Sequence, residues 1–358
     1  MTNTIIDVES AKITITGQPV RPEKKYQYSE IFGNTIQGEG RYTGIPTVWL
    51  RFWGCNFSCD GFGQVNPSDR STWTLDHQTV DISSIKRMED LPVFNTGCDS
   101  SYSWAKKFAH LAHKGTPTEI CNQLEDFLRS PSNPEGRFLH PKSKQWSHMA
   151  FTGGEPMMNQ NAIIDIMLEF AARGNMPKYV TVETNGTQLA RDKFQKYITG
   201  YDEQATSLEE ALRQSEQSFF MQYTQAIHGE SLVSLPERLK AVQGIEWFWS
   251  VSPKLYLSGE KWDEAIQPEV VAGYNKLSNK GQLKYVCDGS DRAWEEVEKA
   301  TELYRAAGID WPVWIMPVGA TVEGQAKVAA MVAEEAVNRG YNVAARVHAY
   351  IFNNSIGK

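Results

Sequence analysis

From residue 47 onward, short runs rich in β-branched and aromatic residues alternate with amphipathic stretches of helical period, and this alternation limits the folds open to the chain. TVWLRFW, HMAFTGG, KYVTVET, WFWSVSPK, QLKYVC, WPVWIMPV and NVAARVHAYIF are predicted strands. Between them, NAIIDIMLEFAARG, DRAWEEVEKATELYRAAG and EGQAKVAAMVAEEAVNRG carry apolar residues three and four apart, and each ends at a glycine suited to a helix C-cap. A strand followed by a helix followed by a strand implies a parallel sheet with helical crossovers. The fold class expected is therefore α/β, a partial, open βα barrel with its site at the C-terminal ends of the strands.

Two segments break the rhythm and read as insertions on that core. Residues 60–97 are polar and turn-rich. Residues 188–246 hold a helix candidate, SLEEALRQSEQSFFMQYTQAI, in polar flanks, so this second insertion is expected to be largely helical. At 358 residues, repeated βα units can still form one compact body, and a single domain over 1–358 is expected. With 41% hydrophobic and 22% charged residues, the chain reads as soluble and globular, with no run fit to cross a membrane. The start, MTNTIIDVES, lacks a basic stretch followed by an apolar one, so no secretory signal is read and a cytoplasmic location is expected. A net charge of −7 without a lysine or arginine stripe argues against direct binding of nucleic acid and for a small substrate.

The five cysteines stand at 55, 59, 98, 121 and 287. An odd number in a long chain argues against a disulfide framework and for a reducing compartment in which thiols can be ligands. Cys55 and Cys59 lie in GCNFSC, directly after a strand, and no third cysteine follows within the next turn. Three further short stretches also fall at strand ends: FTGGEP, ETNGT and SVSPK. Each has a bland reading by itself. GGEP is also a tight turn into a helix, ETNGT an Asn-Gly turn, and CxxxC a pair of incidental thiols.

Taken together and in order, the four stretches resemble the radical S-adenosylmethionine (SAM) enzymes. EIFGNTIQGEGRYTGIPTVWLRFWGCNFSC, residues 30–59, resembles the N-terminal part of the 7-carboxy-7-deazaguanine synthase family in particular. In that family the third cysteine comes two residues after the second. Here the matching words, NTGCDSSYSW, come only after 38 intervening residues, which coincide with the polar insertion at 60–97. The resemblance thus implies a split motif in which Cys55, Cys59 and Cys98 bind a 4Fe-4S cluster and leave one iron for SAM. A long closed loop costs entropy that grows only slowly with length, so the ends of an insertion can still meet. The rival on thiol chemistry alone is structural zinc with His110 or His113 as a fourth ligand. Cys121, inside a helical pattern, and Cys287, at a strand end, read as buried or incidental.

The same resemblance implies SAM contacts at Gly97, Asp99, Gly154, Glu155, Glu183, Ser252, Pro253 and Lys254. It implies substrate contacts at Ile36, Gln37, Gly38, Glu39, Arg51 and Thr152. Arg51 suits a carboxylate because a guanidinium binds one through two parallel hydrogen bonds. Ser100 stands where the family has a threonine that gives magnesium an oxygen, and it keeps the hydroxyl that a hard cation needs. Gly97 stands where the family commonly has tryptophan. RVHAY (346–350) resembles the family's C-terminal end, and His348 is assigned no catalytic role. The implied reaction converts 6-carboxy-5,6,7,8-tetrahydropterin to 7-carboxy-7-deazaguanine with loss of ammonia, started by a 5'-deoxyadenosyl radical from SAM. An electron donor such as flavodoxin and a homodimer are implied partners. Acid and base residues for the ring contraction are not assigned. Two rivals stay open: a glycyl-radical activating enzyme, and a non-catalytic binding protein on the same scaffold.

Overall fold

A computed structural model of the chain describes residues 24–199 and 244–357. Nine strands form one open sheet in the order β3-β1-β2-β4-β5-β6-β7-β8-β9. They are β1 Tyr26–Ile36, β2 Pro46–Phe52, β3 His113–Gly115, β4 His148–Gly153, β5 Tyr179–Thr184, β6 Glu246–Val251, β7 Gly281–Cys287, β8 Val313–Pro317 and β9 Asn342–Val343. From β2 through β9 every neighbouring pair in the sheet is parallel, while β1 runs antiparallel to both β2 and β3. The main helices are α1 Pro117–Leu128, α2 Gln160–Ala172, α3 Asp192–Thr199, α4 Pro268–Leu277, α5 Asp291–Ala306, α6 Val322–Ala326, α7 Ala329–Asn338 and α8 Val347–Ile351. The sheet does not close, as expected for a partial barrel. It does curl, since Phe32 of β1 and Met316 of β8 line one cavity.

Local chemistry accounts for these elements. Helix α1 starts at a capping box: Glu119 N–H donates to Thr116 Oγ1 (3.1 Å), Thr116 N–H donates to the Glu119 carboxylate (2.8 Å), and Pro117 fills the first turn. Such a cap contributes about 1 kcal/mol. Helices α2 and α5 run out at Gly174 and Gly308, whose φ of +62° and +82° give the left-handed ends anticipated from the sequence. Along the strands, alternate residues divide between two faces. Leu50, Phe52, Phe151, Val182, Trp249, Leu283 and Tyr285 join the helices in the main core. Arg51, Thr152, Glu183, Ser250, Gln282 and Lys284 fall on the other parity, and their register carries them across the sheet: Arg51 opposite Thr152, Glu183 opposite Ser250, Ser250 opposite Gln282. A parallel sheet usually buries apolar side chains on both faces; here polar residues mark the inner face as a site.

Two expectations are corrected, and one strand is added to those read from the sequence. NVAARVHAYIF is not one strand: only Asn342–Val343 pairs, and Val347–Ile351 is helical. The stretch 323–340 is not one helix but α6 and α7, broken at 327–328; in the last turn before the break the buried Gln325 amide is held by the Pro317 carbonyl, to which it donates (3.0 Å), and by Arg346 N–H, from which it accepts (3.3 Å). An eleven-residue strand, β1, precedes the first strand read from the sequence. The helix candidate in 188–246 lies outside the described residues. No helix among them is long and apolar enough to cross a membrane.

Candidate active site

A cavity of about 350 Å³ opens at the C-terminal ends of the strands. Cys55, Cys59 and Cys98 all line it, and Cys55 and Cys98 pack against the small apolar cluster of Phe57, Cys59 and Ala265. The insertion therefore returns the chain to its starting point. Gly97 N–H donates to the Phe62 carbonyl (2.8 Å), which closes the stem of the excursion. One carboxylate fastens it: Asp76 accepts from Asn95 N–H (2.7 Å), Thr96 N–H (3.3 Å) and Thr96 Oγ1 (2.8 Å). The insertion also has an apolar centre, where Met88, Leu91 and Phe94 join Tyr102, Phe108 and Leu111 from beyond Cys98.

Two of the strand-end motifs, FTGGEP and ETNGT, reach the cysteine loop directly, and a carboxylate six residues beyond SVSPK reaches it as well. Glu155 N–H donates to the Gly54 carbonyl (2.8 Å), and Gly154 packs so closely that a Cβ there would lie 2.1 Å from Gly54 O and 2.7 Å from Cys55 Cβ. Only glycine fits. Asn185 of ETNGT donates to the Asn56 side chain (3.0 Å), which donates to Thr187 (3.0 Å). Glu260, just after SVSPK, accepts from Ser58 N–H (2.9 Å) and Cys59 N–H (2.7 Å). Asn56 lies within GCNFSC but was given no role from the sequence, and Glu260 lies outside every motif.

Burial pushes the Cys55 thiol up to about 12 and that of Cys98 to about 11, and it raises the Cys59 thiol well above its ordinary value. Such thiols need positive metal charge to ionise. Among the described residues no group of three or more His, Cys, Asp or Glu side chains is placed to hold one metal ion. His113 instead stacks on Tyr28, and His110 faces the Lys107 carbonyl from an exposed position. Cys55, Cys59 and Cys98 are three soft thiols in one apolar corner, the donor type that iron-sulfur clusters take.

The other end of the cavity is a charge network. Arg51, on β2, is not a surface charge: its Nε donates to Glu30 at 2.6 Å, its Nη1 to Ser100 Oγ at 3.1 Å, and Tyr102 donates to the same Glu30. Lys284, 5% exposed, bridges Glu39 (2.5 Å) and Glu183 (3.2 Å), and Gln37 donates to Glu183 (3.0 Å). Arg346 spans Glu39 (3.2 Å) and Asp99 (2.9 Å). Burial would raise the Glu39 carboxyl, but Lys284, then Arg346 and His348, hold it far below the usual carboxylate range. Burial likewise opposes the Lys284 charge, and Glu183 and Glu39 keep it protonated. Ser100 Oγ lies 3.2 Å from Asp99 Oδ1, two hard oxygens of the kind magnesium takes.

Of the residues implied at the sequence level, Ile36, Gln37, Gly38, Glu39, Arg51, Gly97, Asp99, Ser100, Thr152, Gly154, Glu183, Ser252 and Lys254 line the cavity together with the cysteines. Glu155 and Pro253 do not. The Glu155 carboxylate is wholly buried and accepts from Met157 N–H, Thr184 Oγ1 and Asn185 N–H. Lys284, Arg346 and His348 line the cavity as well. Lys284 lies in the strand run QLKYVC, with nothing in the sequence to mark it as a site residue; Arg346 and His348 belong to RVHAY, from which no site role was assigned.

No family model matches the chain. A 7-carboxy-7-deazaguanine synthase of Buchnera aphidicola subsp. Schizaphis graminum is 24% identical over 184 residues, 49% of this chain and 60% of that protein. A 7-carboxy-7-deazaguanine synthase of Bacillus cereus is 24% identical over 174 residues, 49% of this chain and 48% of that protein. The chain thus spans about half of the length of the curated relatives it matches. Low in identity and limited to half of the chain, the two relatives nonetheless support the family that the sequence motifs resemble, the 7-carboxy-7-deazaguanine synthases.

Proposed function

We propose that this chain is a radical SAM synthase that converts 6-carboxy-5,6,7,8-tetrahydropterin to 7-carboxy-7-deazaguanine with loss of ammonia, as one domain decorated by insertions at 60–97 and 188–246. The observation that carries this reading is the meeting of Cys55, Cys59 and Cys98, 38 residues of insertion notwithstanding, in a cavity shared with Arg51 and the QGEG loop. The names of the two relatives support the same activity.

On this reading Cys55, Cys59 and Cys98 hold the cluster, and Gly97, Asp99, Gly154, Glu183, Ser252 and Lys254 border the SAM site, with Glu155 and Pro253 supporting it from behind. When bound, the cluster and SAM supply the one-electron chemistry that removes a hydrogen atom from the substrate. The chain's own task is to aim one C–H bond at that chemistry. Arg51, kept charged by Glu30, offers its fork to the substrate carboxylate. Ser100 and Asp99 offer oxygens to magnesium on the same side. Glu39 and Gln37, fixed by Lys284 and Glu183, present ionised and amide oxygens to the donor groups of the pterin ring, while Thr152 contacts it from β4. An electron donor such as flavodoxin serves the cluster from outside.

Anaerobic reconstitution with iron and sulfide, followed by a SAM-cleavage assay with and without the pterin, tests the proposal. Cleavage stimulated by carboxytetrahydropterin, with a deazaguanine product, is expected. Cleavage indifferent to the pterin would favour a glycyl-radical activating enzyme, and failure to form any cluster would favour a non-catalytic binding protein.

A further inference from the structure

The structure points to an unrecognised positioning residue, and the inference rests on the proposed reading of the cysteines: we infer that Glu260 fixes the second cysteine of the split motif and lowers the reduction potential of the cluster it holds. Cys59 has φ +52°, a left-handed conformation that few residues other than glycine adopt and that needs support from outside. Glu260 supplies it from a turn 201 residues later in the chain. Its Oε1 accepts from Cys59 N–H (2.7 Å), Ser58 N–H (2.9 Å) and Ser58 Oγ (3.4 Å). The turn carrying Glu260 is itself gripped by the insertion. Gly61 N–H donates to the Ser258 carbonyl (2.9 Å), Arg70 donates to the Gly259 carbonyl (3.3 Å), and Trp73 covers Gly259, where a Cβ would come within 2.5 Å of its ring. A Cβ on Gly61 would in turn lie 2.5 Å from Gly259 N. The insertion that separates the cysteines thus holds the brace that re-forms their loop.

Two physical effects of this brace act in the same direction. Hydrogen bonds to sulfur and local charge are the protein's levers on a cluster's potential. The two amides bound to Glu260 are withheld from cluster sulfurs, and the carboxylate adds negative charge beside the loop. Both disfavour the added electron, so the reduced cluster becomes a stronger reductant, which cleavage of a sulfonium requires.

The test compares wild type, Glu260→Gln, Glu260→Ala and Gly61→Ala after anaerobic reconstitution, by iron and sulfide content and by a redox titration followed by electron paramagnetic resonance. Hydrogen exchange at the Ser58 and Cys59 amides is measured in the cluster-free proteins. Glu260→Gln keeps an acceptor oxygen and is expected to hold wild-type iron, but at the wild-type midpoint its ratio of reduced to oxidised cluster rises roughly threefold. Glu260→Ala and Gly61→Ala are expected to retain less than half of the iron, with exchange at the two amides about tenfold faster. Wild-type iron and unchanged exchange in Glu260→Ala would overturn the brace, and an unaltered potential in Glu260→Gln would overturn its effect on reduction. A wild-type protein that forms no cluster would instead overturn the proposed function, and the exchange data would still decide whether Glu260 holds the loop.

Discussion

On the proposed reading Cys98 is the residue on which the site depends most, since sequence separation sets it apart and the folded insertion brings it back to the cavity. Cys98→Ala is expected to abolish cluster assembly as completely as Cys55→Ala, whereas Cys287→Ala, a buried thiol outside the cavity, leaves it intact. Iron content after reconstitution decides the matter: comparable iron in Cys98→Ala and wild type would defeat the split motif. A second residue, His148, makes stability depend on pH. It is 5% exposed, stacked on Tyr179 and edge-on to Tyr42, and its Nδ1 has no hydrogen-bond partner. Burial lowers its pKa to about 4, and Glu246, the charged group facing it, reverses only part of that. The unfolded chain, with a histidine pKa near 6.5, binds this proton first as pH falls. Stability from a neutral His148 is therefore present above about pH 6.5 and lost between there and pH 4, up to about 3 kcal/mol. Melting temperatures of wild type and His148→Phe across that range are expected to differ in slope, the variant being flatter, and parallel profiles would rule this contribution out.

At the scale of elements, the insertion stem makes a sharper claim than its turn-rich sequence did. Asp76 gathers Asn95 and Thr96 across the stem, and charge-assisted bonds of this kind are worth about 2 kcal/mol each. Asp76→Ala is expected to make residues 60–97 the first site of limited proteolysis and to reduce iron retention several-fold; an unchanged cleavage pattern would show that the apolar centre around Phe94 holds the excursion by itself. The parallel strands were legible because outward residues such as Leu50 and Val182 follow a period of two. Strand β1 was not, because its register slips between Tyr28 and Glu30 and again between Phe32 and Thr35, with Asn34 at φ +52°, so no simple alternation survives. RVHAY read as β because of its β-branched and aromatic residues. Tertiary contacts override that preference: Val347 N–H donates to the Gly38 carbonyl and Arg346 reaches two acids. The cysteines and strand-end words of the site were visible as motifs, whereas Lys284 and Glu260 were not, and Arg346 stood in RVHAY without a role, since a charge on a strand or loop carries no sign of the distant acid or amide it will meet.

At the scale of the whole molecule, an open sheet leaves β1 and the last strands without mutual backbone pairing, yet both must line one cavity. Polar side chains do what strand pairing does in a closed barrel. Arg346, after β9, binds Glu39 from the loop after β1 and Asp99 from the loop after the insertion, and Lys284 of β7 binds the same Glu39. Gln282 adds a neutral tie by accepting from Arg41 N–H (3.0 Å) while donating to Ser250 (2.9 Å). Removing one partner from a buried ionic set leaves the others uncompensated, which costs about 3 kcal/mol. Arg346→Ala is therefore expected to lower the melting temperature and, more tellingly, to speed hydrogen exchange in residues 344–352 and in the loop 37–41 together, while amides of β4 and β5 keep their protection. Arg346→Lys, which keeps the charge but loses the fork that reaches two carboxylates at once, is expected to fall between the two. The two segments also share the backbone bond from Val347 N–H to the Gly38 carbonyl, so joint loss of protection means that this bond fails once the Arg346 side chain is removed. Faster exchange at 344–352 alone would mean that the open edge is held elsewhere and that Arg346 serves the cavity's charge balance without joining the ends of the sheet.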